Sequence, residues 1–224
     1  MGNLSDYFPT NNNNKPTYLV SAQANVGYSG IAPTVNRPQG LQVGDLLVLV
    51  LQHRNMTITP PAGWTEEFRV GSLEGTFEDP ITTSNDHLSV WSKLATASDV
   101  AASAFTFGMV DEGTDGFAIH CWAVRNAKQI RALAFSSGTL IAPSVDASIG
   151  DILFVMHGTA FDDTPGTVVF PATTTVLADV YTSIADCGIA SGFEPVLSSG
   201  ATGTRVFGAG HNQYEFSGLI AVGP

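Results

Sequence analysis

The sequence predicts an all-β protein, an antiparallel, jelly-roll-like β-sandwich built from two internally repeated halves and preceded by an extended N-terminal arm. Composition is the first reason: of 224 residues, 44% are hydrophobic and 13% charged, and 23 Gly and 12 Pro supply turns. The second reason is an apolar strand that recurs once in each half. The third is that no segment shows a clear helical period, so a parallel α/β architecture is not expected.

Residues 1–16 are predicted to form the arm, and residues 17–224 the sandwich. The arm carries an apolar stretch followed by four asparagines. The apolar stretch comprises Leu4, Tyr7, Phe8 and Pro9. An asparagine run competes for its own backbone hydrogen bonds and does not form a helix or central strand. The arm is therefore either a frayed terminus or an anchor whose apolar stretch binds a partner protein, with the asparagines as a spacer.

From Thr17 onwards the sequence reads as strands separated by turns. The strands expected in the first half are 17–27, 44–54, 66–70, 87–95, 105–109 and 117–125. A turn rich in proline lies at 56–64, and a long loop at 71–85. Residues 95–102 make at most a turn or two of helix, and residues 126–140 are interpreted as a short connection.

The stretch Gly44–Arg54 is predicted to be a strand buried on both faces, because six consecutive apolar residues follow its Gly-Asp turn. The same phrase returns at Gly150–His157. Other correspondences follow in the same order. They pair Ala32–Val35 with Ala142–Val145, Pro61-Ala62 with Pro171-Ala172, Ser89-Val90 with Gly188-Ile189, and Ala123-Val124 with Ala221-Val222.

We interpret this order as an internal duplication with halves at about 30–126 and 140–224. Each half would supply about five strands and cover one face of a core, so the two are expected to pack face to face as one sandwich. Two separate small domains are the alternative. The short connection at 126–140 counts against them.

The formal net charge of -11 arises from 20 acidic and 9 scattered basic residues. Such a surface repels nucleic-acid phosphates and anionic membranes, so neither is an expected partner. No apolar run approaches the roughly 18 residues that a membrane helix requires, and the N-terminus has no secretory pattern. Synthesis in a cytosol follows.

Histidines and cysteines do not predict a metal site or a cofactor. The histidines are His53, His87, His120, His157 and His211. They occur singly, without the spacing that directs two nitrogens at one metal, although His53 and His157 could share a rim of the sandwich. Cys121 and Cys187 are too far apart for a CxxC motif and are expected to be buried free thiols.

Acidic residues offer two weaker candidates. Asp111–Gly116 and Asp162-Asp163 suit a hard cation such as calcium, but solvated turns select the same residues. A glycoside hydrolase would need two opposed carboxylates, and the sequence singles out no pair among Glu66, Glu67, Glu74, Glu78 and Glu194. No nucleophile motif is present, so we do not expect an enzyme.

Trp64 follows the Pro-Pro-Ala-Gly turn and is expected at the edge of the sandwich. There its ring either caps the core or contacts a ligand or a partner. Core capping is the favoured interpretation.

Three stretches together resemble a group of tailed-bacteriophage virion proteins that includes tail-fibre, receptor-binding and capsid-associated β domains. These stretches are Gly44–Val48, Pro60–Thr65 and Leu88–Thr96. The likeness covers residues 30–126 and continues more weakly in the second half, where Thr173 or Thr174 replaces the tryptophan of the proline turn.

The resemblance implies a structural or adhesive virion protein, often a homotrimer, with no catalytic residues to carry over. We expect a tail-fibre or host-recognition component, assembled in the host cytoplasm, held to other virion proteins by its arm and facing a host surface glycan or protein. A capsid decoration (cement) protein is the first alternative. A glycan-binding or glycan-degrading domain is the second.

Overall fold

The computed structural model describes most of the chain beyond residue 16. The described residues are 17–28, 30–54, 56–73, 76–78, 86–111, 116–160, 167–182, 187–208 and 215–224. The predicted arm, with Leu4, Tyr7, Phe8 and Pro9, lies outside them.

Almost every described element is a strand. In the first half these are β1 Tyr18–Tyr28, β2 Thr34–Asn36, β3 Leu46–Arg54, β4 Met56–Thr59, β5 Thr65–Leu73, β6 Thr76–Glu78, β7 Asp86–Leu94, β8 Ala104–Thr106, β9 Gly108–Asp111 and β10 Gly116–Arg125. In the second half they are β11 Gln129–Ser137, β12 Ile141–Ala142, β13 Asp146–Ala147, β14 Ile152–Ala160, β15 Thr175–Thr182, β16 Cys187–Pro195, β17 Gly200–Ala201, β18 Arg205–Val206 and β19 Glu215–Gly223. One short helix, α1 Ala97–Ala101, begins at a capping box between Thr96 and Asp99. Among the described residues, no helix has the length and apolar character needed to cross a membrane.

Two antiparallel sheets form the sandwich, which confirms the predicted all-β fold. The first sheet has the order β1-β10-β3-β7-β5-β6, and the second has the order β11-β19-β14-β16-β15. Apart from the short β6, the two orders match strand for strand. Both Gly-Asp strands, β3 and β14, lie inside their sheets, as the sequence predicted.

The match corrects two details of the predicted repeat. The segment 126–140 is not a simple connection, because it contains β11, the counterpart of β1. Both edge strands carry a bulge at the same place, at Val20 and at Arg131. The alignment of Ser89-Val90 with Gly188-Ile189 is wrong by two residues, since the pairing with β3 and β14 makes Leu88 the counterpart of Ile189.

The halves are related by an approximate two-fold axis that runs along the central strands. β3 faces β14, and β1 faces β15. The reciprocal contact joins β5 to β11, where Phe68 and Phe135 stack with ring centroids 5.0 Å apart. Equivalent positions along β3 and β14 face each other across the sandwich, so both Gly-Asp turns lie at the same end of it.

Three apolar clusters explain why the central strands are buried on both faces. The cluster between the sheets includes Val48, Val50 and Trp122 from one side and Phe154, Met156 and Ile220 from the other. The outer face of the first sheet is covered by Trp64, Phe105 and Phe107, among others. Phe207 and Val168 belong to the cluster that covers the second sheet. The protein is thus a two-sheet sandwich with an outer cover on each sheet.

Candidate functional site

The two Gly-Asp turns are built alike. Asp45 Oδ2 accepts a hydrogen bond from the Gln42 amide at 2.8 Å, and Asp151 Oδ2 accepts one from the Ser148 amide at 2.8 Å. Gly44 and Gly150 have φ of 88° and 90°, in the region that favours glycine. The pattern Gly-Asp therefore encodes a turn that fixes the start of each central strand.

An arginine neutralises each turn aspartate, but it comes from different strands. In the first half Arg125 of β10 donates from Nε and Nη2 to the two oxygens of Asp45, both at 2.9 Å. In the second half Arg131, at the bulge of β11, donates to Asp151 at 3.1 Å. The residue that corresponds to Arg125 in the second half is Gly223. Because it has no side chain, Arg131 can reach the carboxylate. Both buried carboxylates thus keep a charged partner.

We call the end that carries these turns the Gly–Asp end. Each turn presents an aliphatic side chain to solvent: Val43 is 66% exposed and Ile149 is 59% exposed. Leu197 and Leu94, which follow or end strands there, are also exposed. The first described strand starts at this end, where Tyr18 is the strand partner of Arg125. The described chain therefore begins, at residue 17, beside an exposed aliphatic surface.

Trp64 packs into the outer cover and not onto the surface. The residue is 8% exposed. Its ring meets Phe105 edge-on at 5.7 Å and has Lys93 Nζ 5.7 Å from its centroid. This position agrees with core capping. Contact of Trp64 with a ligand or partner stays a prediction.

Beside the proline turn of the second half, the charges are opposite in sign to those beside the first. Thr174 replaces Trp64, and Glu194 stands where the first half has Lys93. Lys93 pairs with Asp99 at 2.9 Å, whereas Glu194 accepts from Arg205 at 2.8 Å and from Thr174 at 2.7 Å. Burial alone would raise the pKa of Glu194, but these hydrogen bonds outweigh it and lower that pKa. Glu194 thus bonds directly to the second proline turn through Thr174, whereas Lys93 joins α1 and approaches the first turn at the Trp64 ring.

Four of the histidines are buried among the described residues, and His211 lies outside them. His53 and His87 stack with centroids 4.9 Å apart and planes 2° apart. Burial, together with His87 and Arg69, holds the pKa of His53 well below its usual range. Parallel rings do not direct two lone pairs at one metal. His53 and His157 lie on the outer faces of opposite sheets, so they share no site.

His157, Ser217 and Glu215 bring together the residue types of a serine hydrolase. His157 Nδ1 lies 3.1 Å from Ser217 Oγ, and its Nε2 lies 3.9 Å from Glu215 Oε1. However, Ser217 and His157 are fully buried, and the serine hydroxyl donates to the Thr139 carbonyl at 2.7 Å. A nucleophile must reach substrate, so this set acts as a hydrogen-bonded part of the core. Sequence reasoning missed it because 60 residues separate the histidine from the serine.

The other predicted candidates are dispersed. Glu66 pairs with Arg69 at 2.8 Å, and Glu67 accepts from Ser92, so neither lies across a cleft from Glu194 on the other sheet. The side chains of Glu74, Glu78, Asp111, Asp162 and Asp163 lie outside the described set. Cys121 and Cys187 are buried thiols that form no disulfide bond, as expected.

Within the described part of the chain, no three His, Cys, Asp or Glu side chains gather as metal ligands would. No protein-family model, curated protein or solved structure matches this chain.

Proposed function

We propose that this chain is a bacteriophage virion structural protein, a tail-fibre or host-recognition component that its N-terminal arm attaches to the particle. The resemblance of Gly44–Val48, Pro60–Thr65 and Leu88–Thr96 to tailed-phage virion proteins supports the virion class. The attachment rests on one observation: the arm joins the sandwich at the Gly–Asp end, where Val43 and Ile149 are exposed. An apolar arm and an apolar end on the same side suit a single partner surface.

The opposite end would then face outwards. The connections from β5 to β7, by way of β6, and from β15 to β16 start and finish there. Loops held by a rigid scaffold are the usual place for recognition. In this proposal they contact a host surface glycan or protein, while other virion proteins bind the arm, and the chain assembles as a homo-oligomer for which the resemblance favours a trimer.

Deletion of residues 1–16 tests the attachment. We expect a protein with an unchanged circular dichroism spectrum and thermal midpoint that no longer copurifies with phage particles. Replacing Leu4, Tyr7 and Phe8 by alanine should have the same effect, because they are the apolar residues of the arm. Changing Asn11–Asn14 to serine is the matched control and should leave incorporation intact, since a spacer needs only length. Normal incorporation of the deleted protein would refute the proposal.

Position on the particle separates the fibre from the decoration protein. Gold-labelled antibody on intact virions should mark the tail tip. Label spread over the shell would instead favour the cement protein, and release of reducing sugar from host polysaccharide would favour the glycan-degrading domain.

A further inference from the structure

Three aliphatic side chains at the Gly–Asp end are largely exposed. They are Val43 (66%), Ile149 (59%) and Leu197 (67%). Ile149 and Leu197 belong to adjoining segments, because the Gly150 amide donates to the Val196 carbonyl at 3.1 Å. Exposed aliphatic groups that gather at one end of a domain are typical of a contact with another protein.

The internal repeat shows that the turn does not need Leu197. Val196 and Ala95 are equivalent, since each donates its amide to the carbonyl of the turn aspartate, at 3.0 and 2.8 Å. The next residue is Leu197 in the second half and Thr96 in the first. The first half thus makes the same turn with an exposed threonine at this position.

Leu197 lies on the side of the Gly–Asp end where the described chain begins. It follows β16, which faces β10, and β10 pairs with β1. Arg125 ties the start of β1 to the first turn, because Nη1 donates to the Tyr18 hydroxyl at 3.3 Å and Nη2 to Asp45 at 2.9 Å. Thr17 is fully buried. The chain therefore enters the sandwich at a fixed point on the side that carries Leu197.

The carboxylates of the two turns do not supply an acidic contact at this end, although the chain has a net charge of -11. Asp45 and Asp151 are 3% and 1% exposed, and each is paired with an arginine of the same chain. Their charge is therefore not available to a basic partner. A partner that meets the turns gains by burying their aliphatic side chains.

We infer that the Gly–Asp end is a second contact with the virion partner that the arm binds, and that this partner presents an uncharged, apolar surface to Ile149 and Leu197. The inference rests on the proposed attachment by the arm. Two linked contacts hold more tightly than either one alone, because formation of the first places the second at a high effective concentration. The arm and the end then form one attachment site of two parts.

The test compares the amounts of two variants that stay on purified phage particles. Leu197→Thr gives the second turn the residue that the first has as Thr96, so the change suits the fold. Val206→Thr is the matched control, because Val206 is 59% exposed but lies in β18, on the outer cover of the second sheet. Both variants should keep the circular dichroism spectrum and thermal midpoint of the wild type. L197T should be retained several-fold less than the wild type, and V206T to the same extent.

Ile149→Thr should act in the same direction as Leu197→Thr, with a larger loss when the two are combined. Full retention of L197T and of this double variant would overturn the inference. Equal losses from L197T and V206T would also overturn it, because they would show no preference for the Gly–Asp end.

A salt wash tests the chemistry of the contact without any variant. Raising NaCl from about 0.1 M to about 1 M shortens the Debye length from about 10 Å to about 3 Å and weakens contacts between charges. We expect the wild type to stay on the particles at both concentrations. Release at high salt would overturn an apolar contact.

Sedimentation of the free chain tests the other occupant of this end, a second copy. A wild-type dimer that L197T dissociates would show that two copies cover this surface for each other, and would overturn the inference. An oligomeric state that L197T leaves unchanged supports it.

Deletion of the arm separates this inference from the attachment proposal. Loss of the deleted chain from particles, together with full retention of L197T and of the double variant, would refute only the contact at the Gly–Asp end. Normal incorporation of the deleted chain, together with loss of L197T, would refute the role of the arm while the contact at the end stands.

Discussion

His120 of the first sheet and Ser191 of the second are joined across the sandwich by a hydrogen bond of 2.7 Å between Nδ1 and Oγ. Both side chains are buried between the sheets. Burial lowers the pKa of His120 to about 3, so the imidazole stays neutral in the folded protein at physiological pH. In the unfolded chain the same ring titrates near its ordinary value of about 6.5.

Stability should therefore fall in mild acid. The folded state binds fewer protons at His120 and His53 than the unfolded state does, so the free energy of unfolding rises with pH. The stabilising contribution of these neutral histidines is fully present above about pH 6.5. Below that pH the free energy of unfolding decreases by at most about 1.4 kcal/mol per pH unit for each such histidine. Urea unfolding at several pH values measures this slope.

The variant His120→Asn isolates the contribution of His120. Asparagine stays neutral and keeps a polar group near Ser191. Between pH 7.5 and pH 5, its loss of stability should be about 2 kcal/mol smaller than that of the wild type, because one titrating group is removed. Equal losses in the two proteins would show that His120 is not held neutral by the fold.

The stack of Trp122 on Phe154 should contribute strongly to the contact between the sheets. The rings lie 4.2 Å apart with planes 7° apart, and both are fully buried. Phe154→Ala should lower the free energy of unfolding by about 3–5 kcal/mol, from lost burial and the cavity left behind. Phe154→Leu is the control and should cost clearly less, because it fills most of the space. Chemical denaturation monitored by tryptophan fluorescence measures both, and equal costs would argue against a packing role.

The central strands could be predicted from sequence because burial on both faces leaves a continuous apolar run, as in Leu46–Leu51. β11 could not. Its bulge at Arg131 breaks the alternation between Ile130 and Leu133 that marks a strand. Pattern reasoning therefore assigned this strand to a connection, although it occupies the same edge position as β1.

The buried polar contacts were beyond sequence reasoning for another reason. Arg125 and Asp45 are 80 residues apart, and His120 and Ser191 are 71 apart. Such pairs depend on the strand order, which no local pattern encodes. The position of a histidine along a strand tells which face of the sheet its side chain points to, but not whether that face is covered. Its burial and its low pKa therefore follow only from the assembled sandwich.

Trp64 should behave as part of the core. Trp64→Phe keeps an aromatic ring against Phe105 and Phe107, while Trp64→Ala removes it. We expect a loss of about 3–5 kcal/mol for the alanine variant in urea unfolding and a clearly smaller loss for phenylalanine. An alanine variant as stable as the wild type would instead favour the ligand-contact interpretation of this residue.

Gly223 should be required for the ion pair of the second Gly-Asp turn. A Cβ atom at this position would overlap both the Asp151 carboxylate and the Arg131 guanidinium. Gly223→Ala should therefore separate the pair and lower the free energy of unfolding by about 2–3 kcal/mol, the usual scale for a hydrogen bond to a charged group.

A double-mutant cycle with Asp151→Ala provides the control for Gly223. Asp151→Ala is itself destabilising because it leaves Arg131 without its carboxylate and the turn without its acceptor. In that background the added methyl group no longer meets the carboxylate, so Gly223→Ala should cost much less, and the two changes should be strongly non-additive. The full cost of Gly223→Ala in both backgrounds would mean that the methyl group clashes with Arg131 or another neighbour and not with the carboxylate. Equilibrium unfolding of the four proteins at neutral pH decides between these outcomes.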